Sequence, residues 1–333
     1  MQKDFALKII KWQKEFGRHN LPWQVKDPYK IWLSEIMLQQ TQVESVKIYY
    51  QNFLTKFPTI QKLSAANIDE VLAAWSGLGY YARAKNLYKT AQIIVNELNG
   101  EFPKTPEALN KLPGIGKSTA AAIAVFAFGA HAAILDGNVK RVFARFFWID
   151  DFINTAQTEK KMWALANNLL PQNEIEIYTQ ALMDLGAMIC TPKNPKCEKC
   201  PLKENCAAYF KNAVEMLPKK QKIARQNVEL KWFLLFYENK IYLEKKPLKG
   251  IWGGLFCPVE KLESEFQIKK EFLLSNFTHH LTHRILNIAP KIILLKEKPQ
   301  HLKGEWFEIE NALKEGLPAP LTKLLENKTI FPR

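Results

Sequence analysis

The run of apolar and polar positions divides the chain into a helical part, ending near Cys206, and a shorter part with strand periodicity. Phe5, Leu7, Ile9, Ile10 and Trp12 recur at helical spacing with some drift, which predicts an amphipathic helix from Met1 to Phe16. Leu21-Pro22-Trp23 interrupts it, and Pro28-Tyr29 opens a helical stretch predicted to run through Tyr50. Further breaks fall at Phe57-Pro58, Gly77-Leu78-Gly79, Gly100 to Pro103, Pro113-Gly114 and Gly129, the spacing of a compact helical array. Ser118 to Phe128 is Ala-rich and apolar on every side, so it reads as a buried helix. Pro218-Lys219-Lys220-Gln221-Lys222 through Arg225-Gln226 is basic and aperiodic and reads as a linker. The expected division is a helical domain at 1–215, a linker at 216–227 and an α+β domain at 228–333. In the last, Leu230 to Tyr237, Ile241 to Leu243, Ile292 to Leu295 after the breaker Pro290, and Trp306 to Ile309 are expected strands. Leu321 to Leu325 is expected to be a closing helix.

Composition narrows the partners. Lys and Arg total 47 against 33 Asp and Glu, a net charge of +14, which suits a polyanion such as nucleic acid or an anionic lipid surface. The N-terminus carries Asp4 and Glu15 without a continuous apolar core, and no apolar run is long enough to span a bilayer. A cytoplasmic protein away from the membrane is expected. Four of the five cysteines, Cys190, Cys197, Cys200 and Cys206, cluster as C-x6-C-x2-C-x5-C, a metal-site pattern rather than a disulfide framework. Structural zinc sites pair two short knuckles where this stretch has one, but spacing alone leaves zinc and an iron–sulfur cluster open. Lys193, Lys196, Lys199 and Lys203 interleave with these cysteines and could meet phosphate. Cys257 stands apart and reads as a small core residue.

Three local patterns carry chemistry. Thr105-Pro106-Glu107 is a helix start, and Leu112-Pro113-Gly114-Ile115-Gly116-Lys117-Ser118-Thr119 joins that helix to the buried one by a tight turn. Glycine at 114 and 116 allows positive φ and close approach, and the free N–H groups opening the second helix suit a phosphate. Asp136, in Leu135-Asp136-Gly137-Asn138, precedes a helix whose dipole favours the ionised carboxylate. Glu35 has Ile31, Trp32 and Leu38 at helical spacing, and partial desolvation there would raise its pKa and suit proton donation.

In order, Leu-Pro-Gly-Ile-Gly, the Ala-rich helix and Leu-Asp-Gly-Asn-Val-Lys-Arg resemble the helix-hairpin-helix glycosylase superfamily, whose hairpin binds backbone phosphate and whose Asp is catalytic. The cysteine spacing directly after Met183 to Met188 resembles the [4Fe-4S] loop of its endonuclease III and MutY branch. Ser34 to Val43 is similar to the MutY pattern Ser-Glu-x-Met-Leu-Gln-Gln-Thr-x-Val. The resemblance implies a mainly α helix-hairpin-helix domain with a [4Fe-4S] loop, followed by an α+β Nudix-like domain. The endonuclease III branch carries Lys where this chain has Ser118, and a hydroxyl cannot form a Schiff base. The implied activity is therefore that of a monofunctional enzyme, a monomer on double-stranded DNA, removing adenine opposite 8-oxoguanine.

Carried over by residue, Glu35 would protonate the base and Asp136 would stabilise the sugar cation, with Ser118 and Asn138 orienting them. Gln40, Thr41 and Tyr80 would probe the duplex, and Gly114, Gly116 and Lys117 would hold phosphate. The Gly77 to Ala84 loop reads as glycines for mobility behind an aromatic tip. Gly250 to Phe256 resembles the start of a Nudix-like domain, but Glu260, Glu263 and Glu265 lack the Arg-Glu-x-x-Glu-Glu spacing of a Nudix hydrolase. Lesion recognition through Leu281-Thr282-His283, in place of the family's Phe-Ser-His loop, is the implied role of that domain. An endonuclease III-like pyrimidine-lesion lyase and a noncatalytic damage sensor remain the alternatives.

Overall fold

The computed structural model of the chain describes residues 2–221, 224–262, 266–300 and 302–327. Glu263 and Glu265, weighed above, lie outside the described residues. The chain forms two compact units: Met1–Tyr50 with Thr59–Gln61 and Lys89–Lys222, and Gln51–Pro58 with Lys62–Tyr88 and Ile223–Arg333.

The helices, in chain order, begin with α1 (Gln2–Phe16), α2 (Pro28–Leu38), α3 (Val43–Lys56), α4 (Ile60–Ser64), α5 (Ile68–Ala74) and α6 (Ala82–Glu97). They continue with α7 (Pro106–Leu109), α8 (Lys117–Phe128), α9 (Gly137–Phe146), α10 (Ala156–Asn168), α11 (Ile175–Asp184) and α12 (Ala207–Phe210). In the first unit, Phe5 of α1 packs edge-on against Phe143 and Phe146 of α9, with ring centroids 6.0 and 5.0 Å away. That face continues into Met162 of α10 and Tyr178, Ala181 and Leu182 of α11. Helix α8 is buried from Ala120 to Val125, and its small side chains let α2, α7 and α11 pack closely around it.

The helical run expected through Tyr50 is broken. Helix α2 stops at Leu38 and α3 starts at Val43, with Gln40 between them in the left-handed region at φ 60°. No Gly or Pro marks this break; the run Gln39-Gln40-Thr41-Gln42 is polar, and its conformation is set by what it packs on. The basic stretch read as a linker makes hydrogen bonds near its start. Ile153 N–H donates to Lys219 O at 3.0 Å, and Asn154 and Gln221 bond each other at 3.0 and 3.4 Å.

The second unit is built on a mixed sheet of β1 (Gln226–Tyr237), β2 (Lys240–Lys245), β3 (Phe256–Cys257), β4 (Ile268–Leu273), β5 (Phe277–His280), β6 (Arg284–Leu295) and β7 (Glu305–Glu308). Its path is β3-β2-β1-β6-β4, with β5 also on β6 and β7 also on β2. Only the central pair among these, β1 and β6, runs parallel. Alternation assigns the faces: Trp232, Leu234, Phe236, Ile241 and Leu243 share one core with Leu321 and Leu325 of a closing helix, while Leu235, Tyr242 and Ile293 face the other way. That closing helix, α14 (Ala319–Glu326), follows a short α13 (Ile309–Ala312). Cys257 is fully buried, as expected of a core residue.

Pro290 does not start a strand; β6 runs through it. The reason is positional. The antiparallel partner of β6 is β5 up to Ile288 and β4 from Lys291, so Pro290 falls where the partner changes. In extended backbone the nitrogen and carbonyl of one residue face the same edge. The Pro290 carbonyl accepts from Leu274 N–H at 3.1 Å, so its donor-less nitrogen faces that gap.

Candidate active site

Helix α2 starts firmly: Asp27 accepts from Tyr29 N–H at 2.9 Å, with Pro28 in the first turn. Ile31, Trp32 and Leu33 are buried, and Glu35 between them and Leu38 is turned to the wall of a cleft of about 1320 Å³. Ser118, Asp136 and Asn138 line the same cleft, as do Gln40 and Thr41. Burial pushes the Glu35 carboxyl up to about 8, and the negative Asp136 adds to the rise.

Asp136 is the N-cap of α9, accepting from Val139 N–H at 2.8 Å through one oxygen and from Asn138 Nδ2 at 3.3 Å through the other. Burial raises its pKa; the bonds from Val139 and Asn138 and the charge of Arg141 pull the other way without reversing the rise. The cap bonds favour the ionised carboxylate, as the start of a helix suggests, and withdrawal from water opposes them with the larger effect.

The turn before α8 divides the work of its glycines. Gly114 sits at φ 76°, a conformation that disfavours any side chain, and Ile115 plugs into the core. Gly116 has an ordinary φ of −77°, and a Cβ there would meet no protein atom within 4 Å, so nothing inside the chain demands a glycine. Lys117 lays its ammonium 4.0 Å from the centre of the Trp163 ring. Ser118 Oγ accepts from Leu135 N–H at 2.9 Å, tying α8 to the segment that delivers Asp136. Gln39, which the sequence reading passed over, donates to Thr119 Oγ1 at 3.3 Å and Gly114 O at 3.5 Å, fixing the 39–42 break against the turn.

A second set of residues supports Asp136. Arg141 donates to Asn138 Oδ1 at 2.8 Å, Gly186 O at 2.6 Å and Cys190 O at 2.6 Å. Helix α11 winds on into a π turn over Leu185–Ile189, and Gly186 there lies so close to Asn138 that a Cβ would come within 2.5 Å of it. Asp184, fully buried, accepts from Gln13 Nε2 at 3.0 Å, Arg18 N–H at 2.8 Å, Arg18 Nε at 2.9 Å and Gln180 Nε2 at 2.8 Å. Arg18 and Gln180 also line the cleft. The sequence signal for this group is Met183-Asp184-Leu185-Gly186, an acid and a glycine inside an apolar run.

Cys190, Cys197, Cys200 and Cys206 line a separate small cavity with Arg145 and Lys203. None is in a disulfide. Arg145 donates to Cys190 Sγ at 3.3 Å and to the carbonyls of Thr191 and Leu217 at 2.7 and 3.0 Å.

Tyr80 and Leu281-Thr282-His283 belong to the second unit. Tyr80 is 50% exposed and left-handed at φ 50°. The Leu281–His283 turn links β5 to β6, closed by Leu281 N–H on Arg284 O at 2.8 Å, with Thr282 and His283 exposed. Glu260 is taken up by Lys246 at 2.8 Å, and among the described residues no helix lies between β3 and β4.

Residues 33–168 match the model for the HhH-GPD superfamily base excision DNA repair proteins, 190–206 the iron-sulfur binding domain of endonuclease III, and 231–327 the NUDIX domain. Over 337 residues the chain is 42% identical to the adenine DNA glycosylase of Buchnera aphidicola subsp. Baizongia pistaciae (strain Bp), covering 96% of this chain and 95% of that protein. The chain belongs to the adenine DNA glycosylase family. A solved thermostable thymine-DNA glycosylase superposes with a TM-score of 0.58 at 33% identity, over 63% of this chain and 97% of that one. A non-covalent endonuclease III–DNA complex shares the fold at a TM-score of 0.54 and 22% identity, over 64% of this chain and 98% of that one.

Membership makes the protein an enzyme of base excision repair that acts on adenine, and the four cysteines its [4Fe-4S] loop. The residues fit that group: four soft sulfur donors converge on one void, and the Arg145 guanidinium stands beside them to balance thiolate charge. Among the described residues, no helix is long and apolar enough to cross a membrane.

Proposed function

We propose that the chain hydrolyses the N-glycosidic bond of adenine paired with 8-oxoguanine or guanine in duplex DNA, without cutting the strand. One observation carries this reading: a carboxyl held up to about 8 shares a cleft with a second, capped carboxyl. Glu35, protonated near neutrality, gives its proton to N7 of the flipped adenine, so the base departs uncharged. Asp136, whose charged form the donors at Val139 and Asn138 and the Arg141 guanidinium favour against burial, faces the cationic sugar. Water then adds to the anomeric carbon, and Glu35 takes the proton the water loses, restoring the starting state. Ser118 and Asn138 hold Asp136 in place.

A lyase step needs an amine on the sugar. Position 118 is a hydroxyl, Lys117 is spread over Trp163, and Lys140 is bonded to Glu159 at 3.0 Å. The open space over Gly116 suits a strand phosphate on the α8 N-terminus. The exposed Thr282 and His283 suit polar contacts to the oxidised guanine, and Tyr80 suits a stacking wedge. The Cys190–Cys206 loop, with its lysines, serves to position DNA. Asp136→Asn is the test: duplex binding is expected to stay within a few-fold while adenine release falls by at least about 100-fold. Release at the parental rate would remove Asp136 from the reaction.

A further inference from the structure

The stretch carrying the Tyr80 tip, residues 62–88, packs in the same compact unit as the C-terminal sheet. The side chains that make this tie flank the tip itself. Tyr81 is buried and donates its hydroxyl to Leu317 O at 2.7 Å. Lys85, in the first turn of α6, donates to Leu248 O at 2.9 Å and Gly253 O at 3.2 Å. One acceptor leads into α14, and the other two bracket the Gly250–Gly253 turn. Asp69 of α5 pairs with Lys245 of β2.

The tip is also held from within. Arg83 donates to Leu78 O at 3.0 Å and Gly79 O at 3.1 Å, and its guanidinium lies 5.3 Å from the Trp75 ring and 5.6 Å from the Tyr80 ring. Trp75 Nε1 donates to Gly79 O at 3.1 Å. Behind the glycines of this loop, two side chains, Arg83 and Trp75, hold its carbonyls, and the left-handed backbone at Tyr80 is held by its surroundings.

We propose that Tyr81 and Lys85 are positioning residues that lock the Tyr80 tip to the C-terminal sheet, so that tip and Leu281–His283 hairpin engage the oxidised guanine as one rigid body. This rests on the lesion reading given above. An ammonium committed to two carbonyls at a partly buried site is not interchangeable with a solvated lysine; burial depresses the Lys85 pKa accordingly. A hairpin and a wedge on one body keep a fixed separation, so a base fitting one and not the other gains from neither.

The test uses the full chain with Tyr81→Phe, Lys85→Met and the pair. Amide hydrogen exchange is followed over 76–84 in the free protein. Adenine excision opposite 8-oxoguanine and opposite guanine is measured as a saturated rate and a half-saturating enzyme concentration. Exchange at 76–84 is expected to quicken by about tenfold in the pair. Preference for the oxidised partner is expected to fall by a similar factor, through weaker half-saturation rather than a lower saturated rate. Thr282→Ala is expected to lose most of its own effect once the tie is cut. Unchanged exchange, or additive effects with Thr282→Ala, would overturn the proposal. Absence of adenine release by the parent enzyme would instead sink the functional reading, while the exchange comparison would still decide the tie.

Discussion

Glu35 concentrates the chemistry in one proton. A general acid works best when its pKa lies near the working pH, and an ordinary carboxyl near 4.5 would be empty of its proton at neutrality. Burial beside Asp136 moves it to about 8. The single-turnover excision rate should therefore fall as pH rises through about 8, with Glu35→Gln slower by at least about 100-fold. A rate independent of pH up to 10 would exclude Glu35 as the donor. The same shift affects stability. Between about 4.5 and 8 the folded chain holds a proton that the unfolded chain has lost, so rising pH removes stability across that window. Below the window the group costs nothing by this route, and above it the whole cost applies. Glu35→Gln should thus gain in Tm over the parent progressively from pH 5 to 8, read by calorimetry. A constant offset at all pH values would contradict the buried-acid account.

At the scale of elements, the α7–α8 turn separates what folding needs from what binding needs. Gly114 and Ile115 serve the turn; Gly116 caps α8 through its carbonyl, but no protein neighbour requires it to lack a side chain. Gly116→Ala should cost less than about 1 kcal/mol of stability, the scale of an N-cap exchange, yet weaken duplex binding by about tenfold or more. Unaltered affinity would mean no phosphate sits there. Much of this element was legible in the chain: Thr105 and Pro106 start α7, and alanines make α8 a buried rod. So were β1 and β2, whose apolar runs Leu234 to Phe236 and Ile241 to Leu243 become strands buried on both faces. What escaped depends on partners distant in sequence. The 39–42 break is set by Gln39 reaching Thr119, and the strand through Pro290 by a change of neighbour two residues wide. The Asp136 support was hidden because Arg141, Gly186 and Cys190 meet only in space. The burial of Asp136 was hidden too, because a helix dipole can be read from sequence and burial cannot.

On the scale of the whole molecule, two bodies divide the account. One holds the acids, the hairpin and the cysteine loop; the other holds Tyr80 and the Leu281–His283 turn on the sheet. The excess of 14 positive charges suits a duplex partner for both, since each phosphate contact releases counterions. The central claim is that these parts remove adenine by hydrolysis and leave the backbone whole. The most direct measurement incubates the protein with a duplex carrying adenine opposite 8-oxoguanine and resolves base and strand products separately. The account predicts free adenine and a strand that breaks only on later alkali treatment. Direct strand cleavage by the enzyme, or release only of an oxidised pyrimidine from a parallel duplex, would contradict it.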